Sequence, residues 1–415
     1  MYQHSCDATQ GNKKFAKYFL INNKSTLLVS GDANTNEVSI RDVRAEWLGL
    51  PSNFSGFLTL CPEQHQAGFW LEYNQDFGTL FDLPFLRNSH VSIIIPYVHA
   101  ENNLHLSQSN IQNPGTNPGM PRDILEAFRQ PNWHNSKIDG KTAISQFTEV
   151  RIQFWRCFMD EDDWQLAYYS GFIIPTNKPN PTFLFNAVAG NGGQAGINAG
   201  VVLQVPFTLP DACQRIMWFM DLDATFRFHN HQWRTYDLRD RPWSRFLLFT
   251  SQNNPNNINI PGVNVLTLHS KVRSYALVDF ATGLRYRNDL FTLEIGYTMW
   301  AHSKEHVKPD CRLIFDKGIQ GNFSPGAQPQ SANFSTIARQ APNDPVFVQL
   351  EKSDINIHSA ATPGALVNGL TIAGGLQYSC GLVTLGAGMG GFVEWSRLNS
   401  PLDSWGLWGK CTISF

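Results

Sequence analysis

Apolar and polar residues alternate with a period of two along much of this chain. Ile197, Ala199, Val201, Leu203, Val205 and Phe207 alternate with Asn198, Gly200, Val202, Gln204, Pro206 and Thr208. Ile216, Trp218, Met220, Leu222, Ala224, Phe226 and Phe228 alternate with Arg215, Met217, Phe219, Asp221, Asp223, Thr225 and Arg227. Phe291, Leu293, Ile295, Tyr297 and Met299 do the same against Thr292, Glu294, Gly296 and Thr298, and Val150, Ile152 and Phe154 against Glu149, Arg151 and Gln153. Looser versions run through 66–77, 90–99, 163–174, 273–287, 365–378 and 381–395. The final stretch puts Trp405, Leu407, Gly409, Cys411, Ile413 and Phe415 on one face, and Gly406, Trp408, Lys410, Thr412 and Ser414 on the other. Successive side chains of a strand point to opposite faces, so the pattern predicts an all-β chain with one apolar face per strand. The strictest of these apolar faces carry no charge.

The connections alternate in length. Residues 379–380, 288, 209–213 and 159–162 are short joints, whereas 302–364, 230–272, 175–195 and 100–145 are long; 396–402 is a modest loop where a long one is expected. Short turns on one rim and long loops on the other belong to a closed antiparallel barrel in a membrane, with no counterpart in a Greek-key sandwich. Eleven strands are expected from 66 onward, and 24–31, 36–47 and 54–61 bring the total to about twelve to fourteen. Within the 100–145 connection, Pro121–Gln130 has a proline at a first helical position, an acidic first turn and Pro131 as a stop, so a short loop helix is expected near 121–130. No segment separates as a second domain, so residues 1–415 read as one barrel domain.

Composition narrows the setting. Charged residues make up 16% and aromatics 13%, yet mean hydropathy is −0.25, and no run reaches the length of a membrane-spanning helix. Lipid-facing residues that alternate with water-facing ones give this balance. A viral or secreted coat protein built on β-sandwiches shares it and is the alternative reading. Net charge −2 and pI 6.6 run against nucleic acid as a partner. The start, MYQHSCDATQGNKK, has no basic n-region or apolar h-region, so the barrel reading takes this numbering as that of a mature chain without its signal peptide. Seven cysteines show no zinc-finger spacing, and an oxidising compartment permits some to pair.

The terminal strand ending in Phe415 resembles the last strand of Gram-negative outer-membrane β-barrels of the porin-like kind, and the alternation resembles them over most of 66–415. The resemblance implies the bacterial outer membrane as location, with short periplasmic turns and long extracellular loops. It implies outer-membrane lipid and the barrel assembly machinery as partners, passive diffusion of small solutes through the lumen, and Phe415 as part of an assembly signal. It leaves room for a homo-oligomer. Parity places Glu149, Arg151, Arg215, Asp221, Asp223, Arg227, Arg285, Glu294, Glu394 and Lys410 on the lumen side. Trp155, Trp164, Tyr168, Trp218, Tyr297, Trp300, Tyr378, Trp395, Trp405 and Trp408 cluster near strand ends, where interfacial girdles place aromatic rings.

Motifs that suggest chemistry fit this frame poorly. His302-Ser-Lys-Glu305-His306 matches the H-x-x-E-H of inverted zinc peptidases, but it follows a strand and precedes Pro309 rather than lying on a helix. Gly190-Asn-Gly192-Gly-Gln-Ala195 leads into an alternating strand, so no helix N-terminus is available for a pyrophosphate. Asp160, Glu161, Asp162 and Asp163 lack calcium-loop spacing and read as a solvated turn, and His229 and His231 are two metal ligands without a third. Neither an enzyme nor a cofactor is expected. The N-x-S sequons at Asn23, Asn53, Asn322 and Asn333 have meaning only in the coat-protein alternative.

Overall fold

The computed structural model describes residues 2–4, 26–81, 86–161, 164–177, 181–190, 192–207, 214–241, 243–251, 260–274, 276–288, 290–310, 314, 316–323, 337–339, 347–380, 383–398 and 403–414. Its main sheet is built from β1 (Tyr2–His4), β2 (Glu63–Asp76), β3 (Ser89–Asn103), β4 (Lys141–Phe147), β5 (Glu149–Glu161), β6 (Trp164–Pro175) and β7 (Gly196–Phe207). It continues with β8 (Gln214–Arg227), β9 (Ala276–Asn288), β10 (Phe291–His302), β11 (Ala365–Cys380), β12 (Val383–Leu398) and β13 (Ser404–Ser414). From β5 to β13 each strand pairs antiparallel with the next. β5 also pairs with β3, and β3 with β2. β1 bridges β13 at Ser404 and Trp405 to β2 at Glu63–His65, so the ladder closes at that rim. β4 continues β5 across Thr148 along the same partner β3, so the thirteen strands form a ring of twelve among the described residues.

All eleven strands expected from residue 66 onward are present, within a few residues of their expected bounds. The ring member beyond them is a correction. It is Tyr2–His4, whereas Thr26–Ser30, Val43–Arg44 and Ser55–Thr59 form a separate small sheet with Ser107–Gln112. Side chains on this small sheet are buried at Leu27, Leu28, Val29, Val43 and Leu58, a burial a lipid-facing strand does not have. The helix expected over 121–130 shrinks to one turn, Ile124–Ala127, because Asp123 caps it by accepting from Glu126 N at 2.9 Å.

The apolar faces are exposed. Leu222, Phe226, Leu293, Ile295, Leu370, Ile372, Leu407 and Ile413 all stand on the outside of the ring. They are not stacked on a second sheet, as the coat-protein alternative requires. The buried core lies elsewhere, in a cap at the long-loop rim. Segments from 27–60, 104–138, 236–272, 307–314 and 350–361 bring together Trp47, Phe54, Phe128, Trp133, Tyr236, Trp243, Phe246 and Phe249. Arg245 and Asp237 are buried together there, paired through Nε–Oδ1 at 3.0 Å and Nη2–Oδ2 at 2.7 Å. Burial raises the Glu46 carboxyl above its ordinary range, opposed by the Asp32 N–H and by Arg44.

Three cap strands prolong the barrel wall. Asn230–Thr235 follows β8, Thr267–Arg273 precedes β9 and His306–Pro309 follows β10, and the three pair in the same neighbour order as β8, β9 and β10.

Candidate functional site

The interior face of the ring carries the charge. By strand register the ten residues placed there by parity fall on the face opposite the exposed apolar side chains, whereas Phe415, Asp162 and Asp163 lie outside the described residues. They form distinct groups. On β9 and β10, which are hydrogen-bonded neighbours, Arg285 donates to Glu294 Oε2 from Nε at 2.9 Å and from Nη2 at 2.7 Å. Arg285 also donates to Gln204 Oε1 at 3.0 Å and lies over the Phe219 ring at 5.2 Å. Glu149 and Arg151 pair on β5. On β12, Glu394 accepts from Ser404 Oγ at 2.5 Å. Lys410 of β13 reaches Glu72 of β2 at 3.9 Å, an ion pair across the junction that β1 closes at the rim.

An acidic group occupies the wall formed by β8 and β9. Asp223 stands directly opposite Asp279, and Asp221 is two residues along. Asp223 is satisfied by three donors: Tyr169 Oη at 2.8 Å, Asn198 Nδ2 at 3.0 Å and Thr225 Oγ1 at 3.0 Å. Tyr169 in turn stacks on Trp155, with centroids 4.2 Å apart. Arg215 lies at the short-turn end of β8 and Arg227 at the long-loop end. Sequence reasoning did not single out Tyr169, Asn198, Glu72 or Asp279. Asp279 shares the parity of Arg285, so it was within reach; the others lie on looser strands or, like Asn198, are uncharged.

The two sides of the interior differ. On β6 and β8, Ala167, Tyr169, Ile173, Met217 and Phe219 are buried and fill the space beside them. On β11 and β12 the same face presents Ala373, Gly375, Gly386, Gly388 and Gly390. The aromatic residues divide as well. Trp164, Tyr168, Tyr378, Trp395 and Trp405 are exposed outside, as girdle residues are. Trp155 is a correction: it stacks on interior Tyr169 and on His90. Trp300 and Trp408 share the interior parity of Glu294 and Lys410. Arg156 stands on the outward face of β5: it pairs with outward Tyr168, with its guanidinium 5.9 Å from the Phe158 ring.

The motif residues have structural roles. His302 ends β10 and His306 begins a cap strand, so no helix carries the pair, and Glu305 is held by Arg234 Nη2 at 3.2 Å. Gly192 and Gly193 have φ of 69° and 74° in a loop whose carbonyls accept from the Asn230 side chain at 3.0 Å. Among the described residues no set of three or more His, Cys, Asp or Glu is arranged to hold a metal ion. Cys61 is disulfide-bonded, the Cys157 thiol donates to Met159 O at 3.1 Å, and Cys411 is exposed.

No family model matches the chain, and no curated protein matches it. Among solved structures it is similar to the crystal structure of an outer membrane channel from Pseudomonas putida F1. The TM-score is 0.36 and the identity 9%, over 100% of this chain and 92% of that one.

Proposed function

We propose that this chain is an outer-membrane channel that lets small solutes diffuse passively, with the short turns periplasmic and the cap outside the cell. The observation that carries the reading is the closed antiparallel ring, apolar outside and charged inside. Lipid cannot satisfy an open sheet edge, and the β1 bridge at the rim together with the Lys410–Glu72 pair brings the edges of β13 and β2 to one another. Solutes follow the side lined by small residues on β11 and β12, past Glu394 and the Lys410–Glu72 pair, because the side chains on β6 and β8 fill the other side. Passage then runs beneath or around the cap. Assembly from the periplasm uses the terminal strand and Phe415 as its signal, and the outer wall allows a homo-oligomer.

Planar-bilayer conductance of the purified chain tests this. The interior carries both signs of charge, so the expected result is a conducting pore with weak ion selectivity. Absence of conductance in correctly folded, inserted protein, or a strong preference for one sign of ion, overturns the open mixed-charge pore.

A further inference from the structure

The pairing register of the wall carries through into the three strands that prolong β8, β9 and β10. Ala224↔Val278 in the wall becomes Asn230↔Val272 beyond the rim, six residues along each strand. Leu277↔His302 becomes Arg273↔His306, four residues along each. An even step keeps a side chain on its own face. His231, Lys271 and Lys308 therefore share the strand face of interior Asp223, Asp279 and Glu294. The opposite face, with Gln232, Leu268, Ser270, Val272 and Val307, is buried in the cap. The cap core thus covers the continuation of the outward face, and the continuation of the lumenal face is open to solvent.

That open face is basic. His231, Lys271 and Lys308 stand in one row across all three strands, each directly opposite the next. Arg273 is opposite His306 in the row nearer the barrel, and Trp233 is opposite His269 in the row beyond. The rings make a continuous surface: His231 stacks on His269 at 5.1 Å, Trp233 meets His269 at 5.4 Å, and His229 lies 6.5 Å from His231. Asp310 adds an acid at the far end, where its N–H donates to His269 O at 2.9 Å. Among the described residues neither Lys271 nor Lys308 is paired with a carboxylate. The wall acids of this face, Asp223 and Asp279, lie eight residues back along their strands from His231 and Lys271. That is on the order of 25 Å, several times the ~8 Å over which physiological salt screens a charge. The two groups therefore act separately.

Like charges set directly opposite on neighbouring strands repel. Lys271 beside Lys308 costs the cap stability unless an anion lies between them, and two permanent positive charges are matched by two negative ones. The face belongs to the lumenal side of the wall, so its occupant is a solute entering the barrel. We infer that it is the docking site of a dianionic solute, whose charge is carried by one phosphate group or by two carboxylates, with Lys271 and Lys308 holding that charge. The inference rests on the channel reading and deepens it by naming the solute class. Such a site raises the local concentration of dianions at the mouth. It does not make the whole pore strongly anion-selective, because the interior below it carries both signs.

The test uses the full chain folded in detergent, with folding scored by heat-modifiable gel mobility. It is dialysed to equilibrium against labelled phosphate, succinate or acetate at low salt, where charge pairing is least screened. Wild type should bind phosphate, succinate or both about tenfold better than acetate. Lys271→Gln/Lys308→Gln, equally folded, should lose that advantage. Lys141→Gln removes a charge that pairs with Glu101 at 3.0 Å on the outward face, and should bind as wild type does. Preference for phosphate over succinate assigns a phosphate-bearing solute, and the reverse a dicarboxylate.

Equal binding by wild type and double variant overturns the inference, as does acetate held as tightly as the dianions. An equal loss in Lys141→Gln overturns it in favour of net charge without a site. Planar-bilayer conductance separates the two levels. A conducting chain whose double variant binds like wild type removes the site alone, whereas absence of conductance removes the channel reading and with it any role in entry, whatever the dialysis gives.

Discussion

A Cβ built on Gly200 would stand 2.2 Å from Cζ of Tyr169; one on Gly390 would stand 2.6 Å from the Trp408 ring, and one on Gly283 2.9 Å from Cε1 of Phe219. In all three cases the glycine and the aromatic residue are direct cross-strand partners on the interior face. The same device therefore recurs around the ring: a glycine leaves room for the neighbouring ring to lie flat over the strand, and the ring replaces the packing that the glycine lacks. At Gly200 the arrangement also sets chemistry, because it holds the Tyr169 hydroxyl at 2.8 Å from Asp223. Gly200→Ala should displace the ring and cost about 1–3 kcal/mol, the usual range for overpacking. Gly374→Ala is the control, since its nearest neighbour is the Thr292 carbonyl oxygen at 3.7 Å, and an open surface site should change stability by less than about 0.5 kcal/mol. Urea unfolding of both variants in lipid vesicles checks this, and equal effects would remove the role given to the ring. A second residue-scale expectation concerns Glu294→Gln. Arg285 would keep its Gln204 contact but lose its charge partner, so the reversal potential should move toward anion preference, with a stability loss of about 1 kcal/mol because the pair is partly solvated. An unchanged reversal potential would mean that solutes do not pass this pair.

At the scale of elements, β13 shows what alternation can and cannot convey. Its parity was legible because eleven consecutive described residues keep one register against β12, from Glu394↔Ser404 to Thr384↔Ser414. Leu407 and Ile413 are exposed outside, and Lys410 faces Glu72 inside. In β5 the alternation fails part-way. The register shifts between Leu166 and Ala167, whose partners are Met159 and Cys157, so Phe158 is bulged and the faces exchange beyond it. A period-two reading has no signal for that extra residue, and so it does not anticipate Met159, outward opposite Leu166; Arg156 precedes the bulge and keeps the outward parity of Ile152 and Phe154. The three-residue β1 was likewise illegible, because three residues contain no period. Lys410→Gln should leave assembly normal, whereas Ile413→Lys should impair it. Near the interface the folded-state cost of that charge is only ~0–1 kcal/mol, so the clearer measurement is the fraction of heat-modifiable chain in the outer membrane. Deleting Phe415 should leave unassembled chain in the periplasm, and normal assembly of that deletion would remove its role as a signal.

The whole molecule joins two bodies held by different forces. The ring is held by continuous ladders whose apolar sides face outward, and the cap by an ordinary buried core. Almost all of the ring could be read from the sequence, since each wall strand is long enough to show its period. The cap could not. Its strands are two to seven residues long, and its core is assembled from segments as far apart as Leu27 and Ala361. No local pattern marks residues that meet only after the ring has closed and brought the long connections together. The aromatic centre of the cap makes the distinction measurable. Phe128 is fully buried and meets Trp133, Trp243 and Phe246 edge-on at 5.8, 6.2 and 5.3 Å. Phe128→Ala should cost the cap about 3–5 kcal/mol, the range for truncating a buried phenylalanine. The ring shares no side chains with that cluster, and its ladders are intact in the variant. Near-ultraviolet circular dichroism, dominated by the packed tryptophans, should therefore melt at a lower temperature in the variant. The temperature at which the barrel band shifts on a gel should stay where it is. If both transitions fall together, cap and ring form one cooperative unit, and the cap is then a structural keystone of the barrel rather than a separately folded cover over its mouth.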